Sequence, residues 1–196
     1  SKFIESSGYL MCYGGAIYND GELTMDKSTI AKSSLGENSK GSAIYNAGNC
    51  TILNSIIENN IIEPTDFTYI YGAIFNSGNL IARSNIFKNN SAVYKQPFTE
   101  FTGSPMVYNI GNLDLTYNAF IDNVGFNGIA TDIYLNAGGT INVDDNWWNT
   151  NDDPFSFDKI NFDCINSWIT SQLTPQYSSL KINEKINISH SCVSTN

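Results

Sequence analysis

Apolar and polar positions alternate along this chain in short stretches, and the stretches recur. Four times an aliphatic residue, an aromatic and an asparagine stand in a row: Ile17-Tyr18-Asn19, Ile44-Tyr45-Asn46, Ile74-Phe75-Asn76 and Val107-Tyr108-Asn109. A glycine follows two residues past each asparagine, at Gly21, Gly48, Gly78 and Gly111. A fifth copy, Ile133-Tyr134-Leu135-Asn136 before Gly138, carries one extra residue and predicts a bulge. The glycines step by 27, 30, 33 and 27 residues. Past each glycine the apolar side chains take every second position: Leu23 and Met25, Cys50 and Ile52, Leu80 and Ala82, Leu113 and Leu115. That period marks a short strand with one buried face. Seven residues past the glycine comes a small polar residue, Ser28, Ser55, Asn85 or Asn118, with Asn146 in the fifth copy. Two further on stands a large apolar one: Ile30, Ile57, Phe87, Phe120 and Trp148. The copies close on Ser33, Asn60, Asn90 and Asn123.

A repeat near 27 residues holding several short strands predicts an all-β solenoid, one coil per copy. Neighbouring coils pair about 4.8 Å apart, so equivalent residues stack in columns. The pattern is similar to a right-handed parallel β-helix, here of about five to six coils with a C-terminal cap. A leucine-rich repeat would need a leucine-dominated motif, and a propeller blade about 40 residues.

The columns carry the expected roles. Asn19, Asn46, Asn76, Asn109 and Asn136 are expected to form a structural ladder at one corner. Alternation sends Ile17, Ile44, Ile74 and Val107 inward and Tyr18, Tyr45, Phe75 and Tyr108 outward. Exposed aromatics in register offer flat faces to a sugar or a protein. The longer steps place their extra residues between a closing asparagine and the next Ile-Tyr-Asn, a ridge of loops along one edge. That ridge carries Phe67, Tyr69, Tyr94, Phe98, Phe101 and Phe126. The expected binding surface is therefore the four-ring column with Phe67, Tyr94 and Phe98 beside it.

At the ends the pattern breaks. Ser1-Lys2-Phe3 matches Ser28-Thr29-Ile30 at a step of 27, so the chain is expected to open partway through a coil of something longer. The repeat stops at Asp144-Asp145-Asn146-Trp147-Trp148-Asn149, with Asn151-Asp152-Asp153-Pro154 after it. Residues 1–150 read as the solenoid and 151–196 as a cap with one or two strands after it. The cap, residues 151–172, would cover the last coil's open edge, and one or two strands follow from Leu173.

Composition then narrows the function classes. The 27 asparagines and 15 glycines favour corners and disfavour helices. Ten Lys and Arg residues, Arg83 the single arginine, face 19 acids for a net charge of −9. That balance argues against nucleic acid and against an anionic membrane. No apolar run approaches the roughly 20 residues of a spanning helix.

Gly-Gly-Ala-Ile-Tyr-Asn at 14–19, Gly-Ser-Ala-Ile-Tyr-Asn at 41–46 and Tyr-Gly-Ala-Ile-Phe-Asn at 71–76 resemble the repeats of archaeal adhesin-like proteins of methanogens. The resemblance runs on through Asp145-Asn146-Trp147-Trp148-Asn149, which is similar to that family's Asn-Trp-Trp closing motif. Leu173-Thr174-Pro175 is similar to the strand that opens an Ig-like repeat in the family. The chain departs from the family at Ser104-Pro105-Met106, where Gly-Ala is usual, and at Asn149, where glycine is usual. The resemblance implies a secreted, surface-anchored protein whose partner is a protein or glycan on another cell. A non-catalytic adhesin segment, extracellular and without a cofactor, is thus the expected function. A structural stalk is the first alternative and a degenerate polysaccharide-active enzyme the second.

Candidate chemistry is sparse. Asp144-Asp145 and Asp152-Asp153 could pair for acid–base work on a glycan, but no Arg or Lys accompanies either pair and the single histidine, His190, lies in the tail. The same acids with Asn151 offer oxygen ligands for Ca²⁺ without a calcium-loop spacing, so turn capping is expected of them and no metal. Cys12, Cys50, Cys164 and Cys192 include no Cys-x-x-Cys, and a Cys164–Cys192 bridge could staple the tail to the cap. Asn49, Asn89 and Asn187 open glycosylation sequons, of which Asn89, at a corner, is expected to be the most exposed. Trp148 is expected in the core; Trp147, outside or under the cap, is the candidate for stacking on a sugar.

Overall fold

The computed structural model describes residues 1–63, 69–93, 102–125, 132–136, 139–161, 163–175 and 188–195. Among these the fold is a parallel β-solenoid, and helix is confined to one 3-10 turn at Phe155–Phe157. Like strands of successive coils pair in parallel. The first sheet stacks β1 (Lys2–Ile4), β5 (Thr29–Ala31), β9 (Ile56–Glu58), β14 (Ile86–Lys88) and β19 (Ala119–Ile121). The second stacks β2 (Ser7–Leu10), β6 (Ser34–Glu37), β10 (Ile61–Ile62) and β15 (Ser91–Ala92). The third holds β3 (Ile17–Asn19), β7 (Ile44–Asn46), β12 (Ile74–Asn76), β17 (Val107–Asn109) and β20 (Ile133–Leu135). The fourth holds β4 (Glu22–Asp26), β8 (Asn49–Leu53), β13 (Asn79–Arg83), β18 (Asn112–Thr116) and β21 (Ile141–Asn142). Three sheets of five strands make about four full turns. Single bridges at Ala119↔Trp147 and Ile133↔Ile160 carry the stack partway into another rung.

The interior follows the alternation. Ile44, Ile74, Val107 and Ile133 form one buried column, and Ile30, Ile57, Phe87, Phe120 and Trp148 another. In the second column the rings of Phe87, Phe120 and Trp148 stack at 5.1 and 4.7 Å. Glycine recurs because the rungs touch there: a Cβ on Gly48, Gly78 or Gly111 would fall on the carbonyl oxygen of the glycine one coil earlier.

Asparagine serves two kinds of corner. Inward, Asn85, Asn118 and Asn146 bond each other's carboxamides, as do Asn60, Asn90 and Asn123, so buried amides are satisfied rung by rung. Outward, each coil turns through a left-handed residue. Lys27, Asn54, Ser84, Tyr117 and Asp145 have φ between 47° and 58°, and Lys32, Asn59, Asn89, Asp122 and Asn149 form a second such column. A left-handed residue costs about 1–2 kcal/mol unless glycine, or Asn and Asp with their local bonds, relieves it.

The insertions are not plain loops. β11 (Tyr69–Tyr71) and β16 (Thr102–Ser104) pair in a small parallel sheet of their own beside the third sheet. At the C-terminal end Ile160 is buried, and Cys164, Ile165 and Trp168 pack on the core. β22 (Trp168–Pro175) and β23 (Ile188–Thr195) then form an antiparallel hairpin. The first tail strand thus begins five residues before Leu173.

Candidate functional site

The third sheet brings the aromatic column together in register. Tyr18, Tyr45, Phe75, Tyr108 and Tyr134 stack with centroids 5.2, 5.1, 5.6 and 5.3 Å apart. Their side chains leave the coil interior, as alternation requires, but two of the five are shut off from water and two are half-buried. Phe75 and Tyr108 are 3 % and 2 % exposed, and Tyr45 is half-buried. The cover is Tyr71, at the end of β11, which meets Phe75 and Tyr108 edge-on at 5.6 and 5.0 Å. Tyr13 lies edge-on to Tyr45 at 5.1 Å. Lys40 completes the cover with its Nζ 4.8 Å above both the Tyr71 and Phe75 rings. The expectation of an exposed four-ring surface is therefore corrected. Tyr71, just past one insertion, Lys40, at the end of another, and Tyr13 lie across the rings, and Tyr18 alone of the four is exposed, at 54 %. Phe67, Tyr94 and Phe98 lie outside the described residues, as do Phe101 and Phe126; of Tyr69 only the backbone is described.

At the corner beside these rings, Asn19, Asn46, Asn76 and Asn109 form a continuous ladder. Each Nδ2 donates to the next Oδ1, at 2.7, 2.7 and 2.6 Å. Asn136 is not in it. β20 pairs Leu135, not Asn136, with Asn109, and Asn136 is exposed. The extra residue of the fifth copy shifts the asparagine past the rung and leaves Leu135 in its place.

Of the carboxylates named as candidate acids, Asp144 and Asp145 tie the last rung to the segment at 166–167, and Asp153 holds a local turn. Asp144 accepts the backbone N–H of Asn166 at 2.6 Å, Asp145 accepts the Ser167 hydroxyl at 2.9 Å, and Asp153 accepts the Phe155 N–H at 2.9 Å. Asp132 is a group that pattern reading missed. It is fully buried at the end of the Asn60–Asn90–Asn123 ladder, accepting from Asn123 Nδ2 at 2.8 Å, with Lys159 Nζ 3.4 Å from its other oxygen. Burial pushes its carboxyl up to about 6, against the pull of Lys159 and Asn123. Among the described residues no group of three or more His, Cys, Asp and Glu converges on one point.

Cys12, Cys50 and Cys164 are free thiols. Burial pushes the Cys50 thiol up to about 12, and that of Cys164 upward as well, where Asp144 and Asp163 add to the effect. Cys192 pairs along the backbone with Ser171 in the hairpin, and its side chain is outside the description. So is that of His190, on the same strand. Asn89 is exposed at a left-handed corner, and Asn187 lies outside the described residues.

Asn49 belongs to a surface feature. On the outer face of the fourth sheet Glu22, Asn49, Asn79 and Asn112 form an exposed ladder: Asn49 donates to Glu22, Asn79 to Asn49 and Asn112 to Asn79. These side chains edge an open groove of about 660 Å³ that runs over Thr51, Ile81 and Asp114. Arg83 is held beside it by Asp114 at 2.6 Å. The sequence does signal this column, since a residue able to hydrogen-bond follows the repeat glycine in each of the first four coils.

In comparisons with known proteins the chain matches no family model, no curated protein and no solved structure.

Proposed function

We propose that this chain is a non-catalytic segment of a cell-surface adhesin, of the archaeal kind its repeats resemble, that attaches to a protein or glycan on another cell. The observation that carries the reading is the groove on the fourth sheet. Its polar side chains are exposed, yet Asn49, Asn79 and Asn112 are held in place by one another across successive rungs. Side chains ordered before contact lose little rotamer freedom on binding, which suits recognition of a surface. The engagement of Asp144 and Asp145 by the segment at 166–167, and of Asp153 in a turn, favours a scaffold over a hydrolase.

A stalk is the second reading, and the buried amide ladders favour it, because they join rung to rung along the axis. Immobilising the protein and counting retained cells separates the two. Ile81→Arg puts a long charged side chain into the groove without removing any ladder amide. Retention should fall severalfold with an unchanged melting temperature. Equal retention by both proteins would remove the groove, and no retention by either would leave the stalk.

A further inference from the structure

In the left-handed corner shared by Lys27, Asn54, Ser84, Tyr117 and Asp145, Tyr117 is the bulkiest residue and the one that turn chemistry favours least. Asn and Asp relieve such a corner with local hydrogen bonds, whereas a bulky ring at φ 58° is a poor choice for the backbone. Burial does not account for it either, because Tyr117 is 59 % exposed.

Beside it runs an outward column of the first sheet, with Ile56, Ile86, Ala119 and Trp147 in register. Ala119 is the smallest of these, so the column dips between Ile86 and Trp147. The dip is the floor of a groove of about 590 Å³, walled by Tyr117, Trp147, Ile86 and, from the hairpin, Ile169. Ser84 and Ser171 stand at its rim, and among the described residues that line it none is charged.

We propose that this groove binds a neutral saccharide, one sugar ring lying over Ala119 against Trp147 and Tyr117, its hydroxyls toward Ser84 and Ser171. A sugar ring has an apolar C–H face and a polar edge, and the groove offers an aromatic and aliphatic surface with a hydroxyl rim. Its size falls within the roughly 300–1,000 Å³ of small-ligand pockets. The uncharged lining and the chain's net charge of −9 oppose an anionic glycan. The strained corner is kept for the ring it presents. The assignment rests on the attachment reading and names its ligand class, at a second surface one corner along from the amide groove.

Calorimetric titration of the protein against cello-, xylo-, chito- and manno-oligosaccharides tests it, with saturation-transfer NMR to locate the contact. At least one of these should bind. Ala119→Leu fills the floor without altering either ring and should weaken that binding about tenfold or more. Tyr117→Asn should also lose binding but raise the melting temperature, because asparagine suits the corner. Binding to none of the four series, or unchanged binding in both variants, overturns the proposal. So does a lowered melting temperature in Tyr117→Asn, which would make the ring structural. Cell retention separates this site from the wider reading. If both variants are retained like wild type, the groove assignment falls and attachment stands. If oligosaccharide binds here while no cell retains the protein, the site stands and the adhesin reading falls.

Discussion

The carboxamide of Asn161 closes the edge of β20 at Leu135. Its Oδ1 accepts the Leu135 N–H at 2.6 Å and its Nδ2 donates to the Leu135 carbonyl at 2.9 Å. One side chain so takes the part that the next rung's backbone takes for Asn109 and Asn76. Because Asn161 is exposed, Asn161→Ala should cost only about 1 kcal/mol in denaturant unfolding. The larger effect should be association, since an open strand edge templates pairing. Sedimentation should show dimers or larger species that wild type lacks. A monomeric variant would mean that other parts of the cap protect the edge.

Burial, not the number of amide bonds, should decide what a ladder contributes. Asn76→Ala removes the buried side-chain acceptor of Asn46 Nδ2 and the buried donor to Asn109 Oδ1, and with them a part-buried bond to the Asn112 carbonyl. A loss of about 1–3 kcal/mol is expected. Asn79→Ala breaks a similar pair of bonds on the surface, where water replaces them, and should stay within about 0.5 kcal/mol. Parallel urea titrations of the two variants compare them. Equal losses would mean that the outer ladder is not solvated.

The pairs of columns show what a sequence reveals of such a fold. Any residue placed by the repeat itself was legible: the Ile44–Ile74–Val107 column inward, Tyr45 and Phe75 outward, asparagine at the corner. Exposure was not, because outward from the coil differs from open to water. The cover over Phe75 comes from Tyr71 and Lys40, at the junction of insertion and repeat, where no one residue type is common to the copies. Leu135 replaced Asn136 in the ladder because a single added residue moves a corner by one position. Tyr117 escaped notice because its left-handed corner is shared by lysine, asparagine, serine and aspartate, a column with no common residue type to mark it. Asp132 and Lys159 meet only through the stacking of the last coil under the cap.

The corrected aromatic column makes a graded prediction. Tyr108→Ser removes a buried ring that contacts Phe75, Tyr134 and Tyr71, and should cost about 3 kcal/mol or more. Tyr18→Ser, at the exposed end of the same stack, should cost less than about 1 kcal/mol. Lys40→Met should lie between, at about 0.5–2 kcal/mol for the lost ammonium–ring contacts. Thermal unfolding of the three variants ranks them. A neutral Tyr108→Ser would mean that the cover from β11 does not form in solution.

Asp132 should give the fold a distinctive pH dependence. Its carboxyl titrates near 4 in the unfolded chain and near 6 in the folded one, so the folded state holds the proton more tightly across that interval. The contribution of this group is fully present below about pH 4 and declines as pH rises toward 6. Two units correspond to about 3 kcal/mol at most. The total stability of wild type sums over every ionisable group and does not isolate the term. The difference from Asp132→Asn does. Asparagine can still accept from Asn123 but has no proton to lose, so the variant should lack the decline, and its stability relative to wild type should rise between pH 4 and 6. Lys159→Met should move the window upward, because it removes a cation that favours the charged carboxylate. Chemical denaturation at half-unit steps of pH reads all three proteins. Parallel curves for wild type and Asp132→Asn would mean that the carboxylate is hydrated and burial does not hold its proton.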